Sequence, residues 1–459
     1  MKKYGIVLLL AGLGVFLSQC HKAREFAESD YDARLSGGSS TVFDESSRAF
    51  THMIDGLSGN DQHAHDLGDG AFEQTFVTAP APVNSGLGPL FNNVSCVSCH
   101  HNDGKGTPTA GMVNSSLLFR MSLPGADPFG GPSAVPGYGG QIQDNAIQGR
   151  TAEARVKIDY QEVQVVYPDG STASLRKPTY TMSAWYLGGS APAGCLLSPR
   201  MAPPVFGLGL LELIPASTIT AMSDEPDADG DGISGKVNYV YNQETKKTEI
   251  GRFGLKATVP TIELQVAGAY NQDMGITNRV FSVESSYGQP QADANADDPE
   301  LPDSLLRAVT FYIKTLAVPA RRDVALPEVA RGEQLFIQAQ CASCHRPTLQ
   351  TDVDVRFASL SNQRIHPYTD LLLHDMGDGL ADGRPDFQAS GKEWRTATLW
   401  GIGLFEKTNG TPYFLHDGRA RTMEEAILWH DGEAANAKKK FMALDKADRL
   451  ALLRFLKSL

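Results

Sequence analysis

The spacing of apolar residues changes character several times along the chain. It opens with an unbroken apolar run, Gly5 to Leu17, behind Lys2 and Lys3. A basic head followed by an apolar run too short to span a bilayer comfortably reads as an export signal. Ser18-Gln19-Cys20 follows, which makes residues 1–20 a signal peptide and Cys20 a candidate lipidation site of a bacterial lipoprotein. Residues 154–180, ARVKIDYQEVQVVYPDGSTASLRKPTY, alternate apolar and polar around a PDG turn and predict a β-hairpin. Helical spacing predicts helices over 203–222 (PPVFGLGLLELIPASTITAM) and 304–319 (SLLRAVTFYIKTLAVP), with a weak helical patch at 46–57. A further helix begins at Pro327, turns Leu335 and Phe336 inward, and runs to a cysteine pair. The last segment, DKADRLALLRFLKSL, predicts a terminal helix with Asp445 as its N-cap.

Between these elements the chain is rich in Gly (45) and Pro (26), which points to long ordered loops. A length of 459 residues allows two or more domains with sizeable cores. The formal net charge of −12 argues against nucleic acid as a partner.

Cysteine usage changes the picture most. Four of the six cysteines form two C-x-x-C pairs, each followed at once by histidine: Cys96, Cys99 and His100, then Cys341, Cys344 and His345. Two thiols at this spacing reach the two vinyl groups of one porphyrin, and the next residue then lies under the iron as its proximal imidazole. A zinc site would need four ligands and leaves the two histidines unexplained. A redox dithiol would need a βαβ setting that is missing here. The motifs therefore predict two covalently bound haem c groups in an exported chain. The expected architecture is mainly α, with two cytochrome c-like haem domains, long loops and a small β-hairpin insertion. Residues 21–83 read as an N-terminal extension, 84–317 as the N-terminal haem domain with insertions, and 318–459 as the C-terminal haem domain. Cys195 is left unpaired and reads as a buried bystander.

Residues 393–430, EWRTATLWGIGLFEKTNGTPYFLHDGRARTMEEAILWH, resemble the C-terminal signature of bacterial di-haem cytochrome c peroxidases and MauG-type enzymes. In that signature the residue ending the last helix turn supplies the sixth ligand of the C-terminal haem. The resemblance places His430 there, where those families carry Met or Tyr, and leaves His416 as a supporting residue. A wider set of stretches resembles the bacterial di-haem oxidoreductases once labelled thiol oxidoreductases: GLGPLFNNVSCVSCHHNDGKG, YGGQIQDNAIQG, SPRMAPPVFGLGLLELIP, QVAGAYNQDMGITN, TFYIKTLAVPARR and FLHDGRARTMEEAILWHDGEA. They extend from about Gly86 to Gly432.

The resemblance implies a peroxidase-like enzyme, with electrons passing from the C-terminal haem to a peroxide-reactive N-terminal haem. In related enzymes a Gln and a Glu stand over that iron, and Gln141, Gln143 and Glu153 are the candidates here. His65, Met112 and Met121 are rival sixth ligands. Two other readings stay open: an electron-transfer cytochrome, and MauG-like oxidation of a protein or small molecule. The expected partners are a small oxidant such as peroxide and an electron-donor protein such as a small cytochrome or cupredoxin. The expected place is the periplasm, free or lipid-anchored to the membrane facing it. Separately, Asp227, Asp229 and Asp231 followed by Gly232 resemble the first half of a calcium loop and are candidate Ca²⁺ ligands.

Overall fold

The computed structural model describes residues 33–293 and 298–459. The expected export signal and Cys20 lie outside the described residues. Residues 34–459 form one compact unit. No helix among the described residues is long and apolar enough to cross a membrane.

Helix α1 (Gly59–Glu73) is capped by Ser58, whose hydroxyl accepts from the Asp61 N–H. Strands β1 (Leu117–Ala126) and β2 (Pro132–Ser133) follow, then the long hairpin of β3 (Arg155–Val166) and β4 (Thr172–Ser183), then β5 (Leu196–Met201). Helices α2 (Ile262–Met274), α3 (Asp303–Lys314), α4 (Pro327–Gln338), α5 (Met423–Trp429) and α6 (Lys446–Ser458) complete the main elements. Strands β5, β1 and β2 form a three-stranded antiparallel sheet in that order. The remaining sheets are two-stranded.

The expectation of a mainly α protein is wrong. The chain is 27% helix and 20% strand, and the hairpin is no small insertion. Its two strands pair over twelve residues each, from Arg155–Ser183 to Val166–Thr172. The β content collects between the two C-x-x-C-H motifs, where short strands separated by Gly and Pro turns leave little helical periodicity. The single helix expected over 203–222 is two short ones, Leu208–Glu212 and Ala216–Met222. Pro215 stands between them, and proline cannot continue a helical hydrogen-bond ladder. The patch at 46–57 forms turns. The terminal helix α6 is capped as expected, with Asp445 accepting from the Asp448 N–H at 2.8 Å.

Two helix crossings repeat one plan. In α1, a Cβ on Gly68 would sit 2.2 Å from the Ala308 carbonyl of α3. In α4, a Cβ on Gly332 would sit 2.0 Å from the Ala451 carbonyl of α6. Only glycine permits either close approach. One helix of each crossing carries a phenylalanine that flanks a motif histidine, Phe72 of α1 beside His100 and Phe336 of α4 beside His345, and α4 runs on into the second C-x-x-C-H turn.

The hairpin ties the middle of the chain to its C-terminal part. Near its base, Val156, Ile158, Tyr180 and Met182 pack with Phe119, Met121 and Trp185. Near its tip, Tyr167 and Leu175 join the core of α4 and α6. Polar contacts fasten the rest: Tyr180 Oη donates to Asp417 at 2.7 Å, Arg176 to the Gly418 carbonyl at 2.7 Å, and Arg421 to Glu162 at 2.8 Å. The 416–425 segment is therefore held under the hairpin.

Candidate haem sites

Both motifs are single tight turns, closed by the histidine N–H bonding to the first cysteine carbonyl at 3.0 Å. The turn brings the thiols and the imidazole to one side. Phe72 of α1 flanks His100 at 6.2 Å between ring centres, and Phe336 of α4 flanks His345 at 6.4 Å. His100 Nδ1 bonds to the Pro203 carbonyl at 2.7 Å, and His345 Nδ1 to the Tyr368 carbonyl at 3.0 Å. A carbonyl accepts only, so Nδ1 carries the proton in each ring and Nε2 keeps its lone pair. This is the arrangement a metal-binding imidazole requires. Burial pushes both imidazoles down to about 4, so they are neutral at physiological pH.

His430 ends α5 and follows the same rule. Its Nδ1 bonds to the Ala426 carbonyl at 2.7 Å. Burial comes first among the causes that depress His345, and the nearby His430 imidazole comes second. The two rings thus share one end of the interior.

All six motif residues and His430 line a cavity of about 660 Å³ that runs between both motifs. The thiols are free, and burial pushes Cys96, Cys99 and Cys341 up to about 12. Neutral thiols in apolar surroundings do not suit a reactive dithiol. They suit thioether formation along the edge of a flat apolar group. The cavity wall also carries Arg252 and Arg395, which burial depresses below the usual guanidinium range. Buried guanidiniums facing a void fit the propionate carboxylates that a haem presents. The residues present fit two haem groups.

A scan of family models matches residues 31–459 to "Di-haem oxidoreductase, putative peroxidase". The chain belongs to this di-haem oxidoreductase family. A search of curated proteins finds no match. Among solved structures, a chain of Kuenenia stuttgartiensis hydrazine synthase pressurised with 20 bar xenon is similar at 16% identity. That match covers 55% of this chain and 88% of that one, with a TM-score of 0.24.

In this di-haem oxidoreductase the other expected site residues fall in different places. Gln141, Gln143 and Glu153 are fully buried but do not line the cavity. They form a network behind its wall. Gln141 Nε2 donates to Asn92 at 2.6 Å and Asp273 at 2.8 Å, and the Gln143 N–H donates to Glu153 at 2.7 Å. His65 bonds Thr315 at 2.8 Å and packs on Tyr312, inside the α1–α3 crossing. Met121 lies in the core beside the hairpin, and Met112 is exposed. Of the candidate calcium residues, Asp227 and Asp229 come together with Asp224, while Asp231 is outside that group and lines the cavity.

Polar groups that face the cavity near Cys99 include Asn93, Ser115, Arg120, Asp144 and Asp273. Asn93 Nδ2 reaches the Cys99 sulfur at 3.2 Å. Burial raises the Asp273 carboxyl, opposed by the Arg120 charge and then by the Gln141 hydrogen bond. Asp144 is raised by burial to about 6. Asp144 sits one residue beyond Gln143 in the stretch already singled out. Asp273 sits in the NQDMG stretch, whose chemistry local spacing did not reveal. Trp394 also lines the wall, stacked on His416 at 3.8 Å and 10°. The second motif has its own buried charge. His374 is clamped between Asp370 at 2.9 Å and Glu433 at 2.7 Å; burial lowers it, but Asp370 and then the Cys344 sulfur raise it well above the usual imidazole range.

Proposed function

We propose that this protein is an exported, peroxidase-like di-haem c oxidoreductase in which electrons pass from the His345 site to the His100 site. The observation that carries this reading is an asymmetry between the two ends of the cavity. At one end a second imidazole, His430, stands ready beside His345. At the other, the wall near Cys99 offers a carboxylate and a guanidinium, Asp273 and Arg120. Haem c at each motif would supply one-electron chemistry and, where the iron keeps a displaceable ligand, a binding place for peroxide.

The chain's own residues then divide the work. His345 and His430 would both hold one group, which would suit it to electron transfer. His100 holds the other from one side. Asp273, raised by burial, would take a proton from peroxide and return it to the departing oxygen, with the two electrons for O–O cleavage supplied by the haem groups and replaced by the donor protein. Arg120 stabilises the negative charge that develops between those steps. Gln141 orients Asp273 from behind. Cys96, Cys99, Cys341 and Cys344 anchor the groups as thioethers. A small cytochrome or cupredoxin is the donor that suits this arrangement, and the signal segment would place the protein in the periplasm, free or anchored through Cys20.

Electron paramagnetic resonance of the oxidised protein, before and after one reducing equivalent, tests this reading. A high-spin signal in either state supports it. Two low-spin signals that persist in both states would refute it in favour of an electron-transfer cytochrome.

A further inference from the structure

Between α2 and α3 the described residues, 275–293 and 298–302, carry a group of carboxylates that do not line the cavity. Oxygen atoms of Glu284, Asp293 and Glu300 lie within 4.8 Å of one another. Ca²⁺ binds oxygen at about 2.3–2.6 Å, so an ion between such oxygens reaches all of them. Glu284 is 8% exposed. Its Oε2 accepts from the Ser286 hydroxyl at 2.9 Å and the Asp293 N–H at 2.9 Å. Its Oε1 is buried and has no hydrogen-bond partner. Glu300 Oε2 accepts from the Thr277 N–H at 2.7 Å, and the fully buried Thr277 hydroxyl reaches Asp298 at 2.8 Å.

Carboxylates crowded this way need either shared protons or a cation. An unpartnered buried oxygen within the group favours the cation. The donors are all hard oxygens, with no imidazole or thiolate, which selects Ca²⁺ or Mg²⁺ over zinc or copper. Several carboxylates on an irregular loop suit Ca²⁺, since Mg²⁺ keeps most of its water.

We propose that Glu284, Asp293 and Glu300 form a Ca²⁺ site that fastens the segment after α2 to the cavity wall. The fastening has a direct route. Asn271 of α2 donates to the Val283 carbonyl at 3.0 Å, and α2 carries Gln272 and Asp273 in the cavity lining. The Asp224–Asp229 group differs, because its carboxylates are satisfied by their own loop. Asp224 accepts from the Ala228 N–H at 3.0 Å and Asp227 from the Gly232 N–H at 3.1 Å.

The test uses the full holoprotein, stripped with a chelator and titrated with CaCl₂ while heat binding and thermal unfolding are followed. The stripped wild type should take up Ca²⁺ and unfold at higher temperature once it is bound. Glu284→Gln and Glu300→Gln should each weaken binding on the order of tenfold or more, because site affinity follows ligand charge. Asp227→Asn should leave this binding unchanged. A stripped wild type that shows neither uptake nor a thermal shift overturns the proposal and assigns shared protons to the group. Equal Ca²⁺ affinity in Glu284→Gln and wild type overturns it as well.

Discussion

Lys256→Met probes a buried ion pair behind Trp394 of the cavity wall. The Lys256 side chain is fully buried, and its ammonium donates to Asp382 Oδ1, the Arg384 carbonyl and the Ser390 carbonyl, each at 2.9 Å. It also lies 4.6 Å from the centre of the Trp394 ring. Methionine keeps the volume and removes the charge. Asp382, itself fully buried, then loses its counterion, which costs about 3–5 kcal/mol. Loss of the cation–π contact adds about 1 kcal/mol. The total, about 4–6 kcal/mol, is a large share of the roughly 5–15 kcal/mol available to a folded domain. Urea denaturation of the holoprotein, followed by fluorescence and by haem absorbance, measures it. Adding Asp382→Asn removes the stranded charge, so the double variant should recover about 2 kcal/mol or more. A single variant within about 1 kcal/mol of wild type, or a double variant as unstable as the sum of the singles, would refute the reasoning.

Other outcomes follow from the same geometry. His430→Ala should alter the absorption and resonance signals of the second haem alone, and unchanged spectra at both would remove His430 as a ligand. Asp273→Asn should lower peroxide turnover by about 10²–10⁴-fold while leaving the His345 site's spectrum intact; undiminished turnover would place the proton transfer elsewhere. Asp386 should make stability acid-sensitive. Burial alone would raise its carboxyl, but Arg200 at 2.7 Å and Arg384 at 2.8 Å outweigh burial and hold it at about 2. Its folded value lies below the ordinary 3.8, so its stabilisation is complete above that value and lost as pH falls towards 2. The loss amounts to about 2 kcal/mol and should vanish from acid titrations of stability in Asp386→Asn.

The local elements were legible wherever one residue fixes a backbone need. Asp445 caps its helix, Pro327 starts one, and the PDG turn closes the hairpin. Helix α1 was missed because its apolar face is thin and its main signals, Ser58 and Gly68, act through a cap and a close approach. The hairpin's length was visible, but its role was not. Nothing local in Glu162, Arg176 or Tyr180 says that they clamp the 416–425 segment, more than 230 residues away.

The haem motifs illustrate the same division. Covalent reach is a matter of adjacent residues, so Cys96, Cys99 and His100 declare themselves, as do Cys341, Cys344 and His345. The protonation of each imidazole depends instead on a distant carbonyl: Pro203 for His100 and Tyr368 for His345. The groups facing the first site also come from separate segments, Arg120 from β1 and Asp273 from the end of α2. Gln141, Gln143 and Glu153, which the sequence offered, turn away behind the wall. Short-range chemistry is written in neighbouring residues, whereas burial, charge pairing and the lining of a cavity depend on which segments the fold brings together.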